Sequence, residues 1–107
     1  MARRPKYVLA FAPETVEHMS AIELKYHSLI ERAIDQQLQF TPDKPTRNRN
    51  PLEQPGPHDA TWELRFGPQN RFRVFYEVDV AALGVHVLAI GVKERDRLFI
   101  GGKEYTP

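Results

Sequence analysis

Three neighbouring segments of the chain have the residue patterns of β-strands, and they read TWELRF at residues 61–66, FRVFYEV at residues 72–78 and VHVLAIGVK at residues 85–93. Successive side chains of a β-strand point to opposite faces, so a period of two separates a core face from an exposed face. The first two segments alternate in this way. The third is apolar at both parities, which is typical of a central strand. We therefore predict three antiparallel strands, joined by short loops at residues 67–70 and 81–84.

The same alternation groups the basic side chains of these strands. Arg65 and Arg73 have the parity opposite to the apolar residues of their own segments. If the even-numbered residues from 88 to 92 enter the core, Lys93 points away from it. Arg65, Arg73 and Lys93 are then expected on one face of one sheet. The alternative without a functional role is a pair of cross-strand surface arginines that are neutralised by Glu63 or Glu77.

The N-terminal third predicts one strand and two helices. Residues 6–11 alternate as a strand does, and a short helix is expected over residues 13–19. A second helix is expected to begin at Ser20, because Ser20 and Glu23 have the spacing of a capping box. One continuous, kinked helix is the alternative.

Apolar residues recur at helical spacing through the second helix, and they are Ile22, Tyr26, Leu29, Ile30, Ala33, Ile34 and Leu38. Residues 40–60 follow as a long, proline-rich loop, and the tail from residue 98 is expected to add an edge strand or a single turn. The predicted order is β-α-α-β-β-β. It belongs to the α+β class, with one mostly antiparallel twisted sheet and two N-terminal helices on one face.

Length and composition limit the classes of function. The 107 residues are expected to form one domain, residues 1–107, and the net charge of +1 is too small to indicate nucleic-acid binding by itself. Cysteine is absent, which excludes disulfides and a cysteine nucleophile. The four histidines lack the spacing of a metal site, so no metal or other cofactor is expected. No stretch reads as a signal peptide or a membrane span, so we expect a cytoplasmic protein without a membrane partner.

The order of elements and three motifs resemble the RelE/ParE superfamily of bacterial type II toxin–antitoxin toxins. The motifs are WELR at residues 62–65, RVFYEVD at residues 73–79 and LAIGVKER at residues 88–95. The Arg-x-x-Tyr of the second motif and the Gly-x-Lys-x-Arg of the third are similar to those of RelE-type members. The resemblance covers essentially the whole chain.

This resemblance implies an endoribonuclease that cleaves messenger RNA, commonly in the ribosomal decoding site, and that a cognate antitoxin silences. The RNA 2′-hydroxyl attacks its own 3′-phosphate, so the step needs proton transfer and charge stabilisation but no metal. By position, Arg73 is implied to stabilise the phosphate, and Arg65 falls where RelE-type toxins keep a basic residue. Lys93 falls where they have an arginine. The implied catalytic set is therefore Arg65, Arg73 and Lys93.

Further candidates for RNA contact are basic or aromatic. Phe75 shares the parity of Arg73, which makes it the aromatic expected to meet a base. For the loop and turn arginines, the alternative is that they only keep their segments solvated. The predicted RNA-binding residues are Arg47, Arg49, Arg71, Phe75, Arg95 and Phe99.

Two departures from the family pattern support an alternative. Phe99 stands where RelE-type members have a tyrosine, and a phenylalanine stacks on a base but transfers no proton. Glu63 stands where RelE has a lysine. The alternative is a ParE-type, gyrase-inhibiting toxin, or a homologue without nuclease activity that binds only its antitoxin. A weaker alternative is an RNA-binding module that has no antitoxin. The expected partners are an antitoxin, messenger RNA and the ribosome, with a homodimer or a toxin–antitoxin hetero-oligomer as the possible assemblies.

Overall fold

The structure, a computed structural model, describes residues 5–107, so the first four residues of the predicted domain lie outside the described part. This part contains two α-helices, α1 (Thr15–Ser20) and α2 (His27–Leu38). Single 3₁₀ turns lie at Leu24–Tyr26, Pro57–Asp59 and Pro68–Asn70. The strands are β1 (Val8–Phe11), β2 (Arg49–Pro51), β3 (Trp62–Phe66), β4 (Phe72–Asp79), β5 (Gly84–Glu94), β6 (Arg97–Ile100) and β7 (Lys103–Glu104).

Within residues 5–107 the strands form one seven-stranded sheet. Strands β2 to β7 follow one another in antiparallel order, and β1 pairs in parallel with β5. The predicted α+β class and the mostly antiparallel sheet are confirmed. The predicted order of four strands is wrong in number, because the loop supplies β2 and the tail, where one edge strand or a turn was expected, supplies β6 and β7. Strand β2 is short and ends in Pro51, which is typical of an edge strand.

The main core lies between α2 and the sheet. Ile30, Ile34 and Leu38 of α2 are almost completely buried, as their helical spacing predicts. They join one cluster with residues of β3, β4 and β5, among them Leu64 and Val74. Burying a side chain of this kind stabilises the fold by about 1.5–3 kcal/mol.

A β-bulge reverses the expected parity of β5 up to Leu88, whereas Ile90 and Val92 face the main core as expected. Phe75 pairs with Ala89, but the next residue, Tyr76, pairs with Val87, so Leu88 is left without a partner in β4. An unpaired residue in one strand turns the side chains before it to the other face. Val87 therefore enters the main core, and the expectation for Leu88 was wrong. Leu88 packs instead in a smaller cluster around Phe75 and Ala89.

The predicted capping box does not form. Ser20 is the last residue of α1, and its hydroxyl donates to the carbonyl of Glu17 at 2.9 Å. The second helix begins only at His27, after the 3₁₀ turn at Leu24–Tyr26. The hydroxyl of a serine at a helix end can donate to a nearby carbonyl instead of capping the next helix. In this chain Ser20 makes the bond to the carbonyl and does not form the cap.

The proline-rich loop is ordered by contacts with the sheet. The hydroxyl of the buried Tyr76 donates to the carbonyl of Pro42 at 2.9 Å. Ala60 is completely buried in the small cluster around Phe75, and Leu52 packs against that cluster. The loop therefore covers part of the sheet face that carries Phe75.

Candidate functional site

The predicted basic residues of the sheet lie on one face. Arg65 and Arg73 are directly opposite each other across β3 and β4, and Gly91 is opposite Arg73 on β5. Lys93 follows Gly91 by two residues and therefore has the same parity. Glu63 precedes Arg65 by two residues and shares this parity as well. We call Glu63, Arg65, Arg73 and Lys93 the arginine face.

Glu63 joins the two arginines. Arg65 Nε donates to Glu63 Oε1 at 2.8 Å, and Arg73 Nη1 donates to Glu63 Oε2 at 3.3 Å. Arg73 Nε also donates to the carbonyl of Asn70 at 3.0 Å. Each oxygen of one carboxylate is thus occupied by a different guanidinium. The sequence offered Glu63 and Glu77 as acidic partners of the two arginines. In the structure the partner is Glu63, because the carboxylate of Glu77 contacts His86.

The two guanidiniums differ in access to solvent. The side chain of Arg65 is 44% exposed, whereas that of Arg73 is 12% exposed and that of Glu63 is 9% exposed. A guanidinium has five N–H donors, and the contacts within the described residues use one on Arg65 and two on Arg73. The remaining donors suit the oxygens of a phosphate, which a guanidinium matches in pairs. Of the two arginines, Arg65 is the more accessible to a ligand.

Two predicted RNA-binding residues lie in the interior. Phe75 is 3% exposed beneath Ala60 and Leu52, so its ring offers no free surface to a base in this structure. Arg49 is buried, and its guanidinium donates to the carbonyls of Lys44 and Gln37. Arg49 therefore ties the loop to the end of α2.

The other four predicted RNA-binding residues are not on the arginine face. Arg71 lies over the ring of Tyr26, 5.5 Å from its centroid, and its Nη2 is 3.5 Å from Glu94 Oε1. Phe99 is paired with Val92, which packs against the main core, so its ring lies on the helix side of the sheet. Arg47 is exposed in the loop and Arg95 is exposed in the turn before β6.

His18 occupies a position that sequence reasoning did not find. It is 7% exposed, and its Nδ1 accepts a hydrogen bond from the backbone N–H of Ile90 at 3.3 Å. Its ring centroid is 5.8 Å from that of His58. Burial and the neighbouring His58 lower the pKa of His18, against a smaller opposing effect of Glu14 and Glu17. A neutral ring that accepts at Nδ1 carries its proton on Nε2.

Two further findings concern metal binding and membrane insertion. Within residues 5–107, no group of three or more His, Cys, Asp or Glu side chains is placed to hold a metal ion. None of the helices in this described part is both long and apolar enough to cross a membrane.

Comparison with known proteins gave no match to the model of any protein family, to any curated protein or to any solved structure.

Proposed function

We propose that this chain is a RelE-like toxin of a type II toxin–antitoxin system and a metal-independent endoribonuclease that cleaves messenger RNA, with the ribosome as the place of cleavage. One observation carries the proposal: Arg65 and Arg73 face each other across two strands and share the carboxylate of Glu63. We further propose that the protein acts in the cytoplasm and that a cognate antitoxin silences it.

The arginine face has the groups that RNA transesterification needs. In the proposed step the phosphate takes over hydrogen bonds of Arg65 and Arg73, which frees the Glu63 carboxylate to accept the proton of the 2′-hydroxyl. The 2′-oxygen bonds to phosphorus, and the bond from phosphorus to the 5′-oxygen breaks. Arg65 and Arg73 stabilise the extra negative charge on the phosphate oxygens. Lys93, on the same face, is the candidate to give a proton to the leaving 5′-oxygen.

The test is cell-free translation with the wild-type protein and with Arg73→Ala, followed by mapping of messenger RNA 5′ ends. Arg32→Ala is the matched control, because Arg32 is exposed on α2 and away from the arginine face. The expected result is ribosome-dependent cuts with the wild type and the control, and a loss of about 10²–10³-fold in cleavage rate with Arg73→Ala. Circular dichroism of each variant shows whether it is folded.

Two outcomes contradict the proposal. One is intact messenger RNA at protein concentrations that stop translation. The other is equal cleavage by the wild type and a folded Arg73→Ala variant, because the phosphate would then be bound elsewhere.

A second candidate is a ParE-type toxin that inhibits gyrase, or a homologue that binds only its antitoxin. The low exposure of Arg73 favours it, because both Arg73 and Glu63 are already paired within the chain. The position of Phe99 on the other side of the sheet favours it too. Inhibition of DNA supercoiling by purified gyrase, without RNA cleavage, would support the ParE-type function.

A further inference from the structure

A cavity of about 290 Å³ lies on the side of the sheet opposite the arginine face. Its apolar wall is formed by Phe72, Ile90, Val92 and Phe99 of strands β4, β5 and β6. The opposite wall comes from His18 of α1, from residues 21–23 that follow α1, and from Tyr26. The turn after β6 closes the cavity with Gly101 and Gly102, whose φ angles of +63° and +79° favour glycine.

The charged groups of the cavity disfavour two classes of ligand. Glu23, Glu94 and Arg71 line it, so two carboxylates stand against one guanidinium and a phosphate is poorly matched. Arg71 already lies over the rings of Tyr26 and Phe72 and close to Glu94. A cationic ligand would have to compete with this arginine for the same rings and carboxylate.

Three features remain available to a ligand. The side chain of Glu23 is 64% exposed, and within residues 5–107 its one ion pair is with the equally exposed Lys25, at 3.6 Å. His18 lines the cavity, and its Nε2, which carries the proton when Nδ1 accepts, has no hydrogen-bond acceptor among the described residues. Phe99 supplies an aromatic ring. A carboxylate acceptor, an N–H donor and an aromatic surface together suit a flat, uncharged ligand with both donors and acceptors.

We propose that this cavity binds a guanine base. The N1–H and N2–H groups of guanine would donate to the Glu23 carboxylate, and its O6 or N7 would accept from His18 Nε2–H. The base would stack on Phe99. Adenine presents an acceptor, N1, where guanine presents N1–H, so the same carboxylate disfavours adenine. A cavity of this size is at the small end of ligand sites, which fits a base better than a whole nucleotide.

The site does not depend on cleavage by the arginine face, and it is therefore tested by binding alone. The experiment is a titration of the ¹⁵N-labelled full chain with 5′-GMP and with 5′-AMP, followed through backbone amide shifts. The two nucleotides carry the same phosphate, so a difference between them reports the base. We expect saturable shifts at Gly101 and Gly102 with GMP. The affinity for AMP should be lower than that for GMP by a factor of about ten or more.

A pair of matched variants tests the recognition. Glu23→Gln keeps the size of the side chain but replaces one carboxylate oxygen by an N–H donor, and the position is exposed, so the fold is retained. It is expected to lower the affinity for GMP about tenfold. Glu53→Gln is the control, at an exposed loop position outside the cavity, and its GMP affinity should equal that of the wild type.

The guanine could come from a strand or from a free nucleotide, and a DNA trinucleotide with a central guanine separates the two sources. If it shifts Gly101 and Gly102, the site accepts a base within a strand. If GMP binds and the trinucleotide does not, the site takes a free nucleotide. Either result supports a guanine site. Equal affinities for GMP and AMP, shifts confined to the arginine face, or unchanged GMP binding by Glu23→Gln would each overturn it.

Discussion

Arg65 and Arg73 lie directly opposite each other across β3 and β4. Like charges in this position destabilise a sheet. The shared carboxylate of Glu63 offsets this repulsion, because it accepts one hydrogen bond from each guanidinium. The arginine face is therefore held together by a residue that carries the opposite charge.

Replacing that carboxylate should loosen the sheet. Glu63→Gln is expected to lower the free energy of unfolding by about 1–3 kcal/mol, since it leaves two guanidiniums facing each other, one of them mostly buried. Urea denaturation measures the loss, and added salt should recover part of it by screening. Glu77→Gln is the control on the neighbouring strand, where the exposed pair with His86 contributes about 0–1 kcal/mol. Equal stabilities of Glu63→Gln and the wild type would show that the bridge contributes nothing.

Two arginines of the proline-rich loop should differ sharply in their effect on stability. Arg49 is buried and donates to two backbone carbonyls, whereas Arg47 is exposed. Arg49→Met is expected to cost about 2–3 kcal/mol because it removes a buried side chain and leaves two partly buried carbonyls without these donors, and Arg47→Met is expected to cost less than about 0.5 kcal/mol. Thermal unfolding of both variants gives the comparison. If the two substitutions cost the same, Arg49 does not anchor the loop.

The turn between β3 and β4 requires a glycine. Gly67 has a φ of +82°, and a Cβ added there would lie 2.6 Å from Cδ2 of the buried Phe72. Gly67→Ala is therefore expected to lower the free energy of unfolding by about 2–3 kcal/mol. Gly84→Ala is the matched control, because a Cβ at Gly84 meets no atom within 4 Å, and it should change stability by less than about 0.5 kcal/mol. Similar urea midpoints for both variants would contradict the expectation.

Stability should fall as the pH drops below about 6.5, and His18 should contribute to this fall. Its pKa in the folded chain is lowered from the ordinary value of 6.5. Above that value the histidine is neutral in both the folded and the unfolded state, so its titration does not change the free energy of unfolding. Below it, the unfolded chain takes up the proton first and is favoured, until the pH passes the lower pKa of the folded state. Protonation at Nδ1 would also break the bond from the Ile90 N–H.

The measurement is the urea midpoint at several pH values between 7.5 and 5. His18→Asn keeps an acceptor near the Ile90 N–H but does not titrate, so its midpoint should depend less on pH than that of the wild type. His86→Asn, at an exposed position, should keep the contribution of His18. If the His18→Asn curve runs parallel to the wild-type curve, the burial of His18 does not couple stability to pH.

The period of two was sufficient to find β3, β4 and β5 and to group Arg65 with Arg73. It failed at Leu88, because a bulge changes the parity of a strand without leaving a mark in the sequence of that strand alone. The capping box at Ser20 failed for a related reason. Serine has several local carbonyl partners, and only the folded backbone decides among them.

The candidate site was predictable only where it depends on local spacing. Glu63 and Arg65 are two residues apart on one strand, so their contact is within reach of sequence reasoning. The burial of Phe75 and Arg49 depends on the path of residues 40–60, which a proline-rich composition does not determine. The side on which Phe99 lies depends on the pairing of β5 with β6 across the turn at Arg95, where φ is +58°.

The parallel pairing of β1 with β5 has a consequence for the order of folding. Leu9 is the partner of Val85, so the chain between them must close a loop of more than seventy residues, whereas the hairpins of β3, β4, β5 and β6 close over short turns. Loop closure over so many residues slows the formation of a contact. During synthesis β1 leaves the ribosome first, yet it has no strand to pair with until β5 has emerged. The first strand of the chain is therefore expected to join the sheet last.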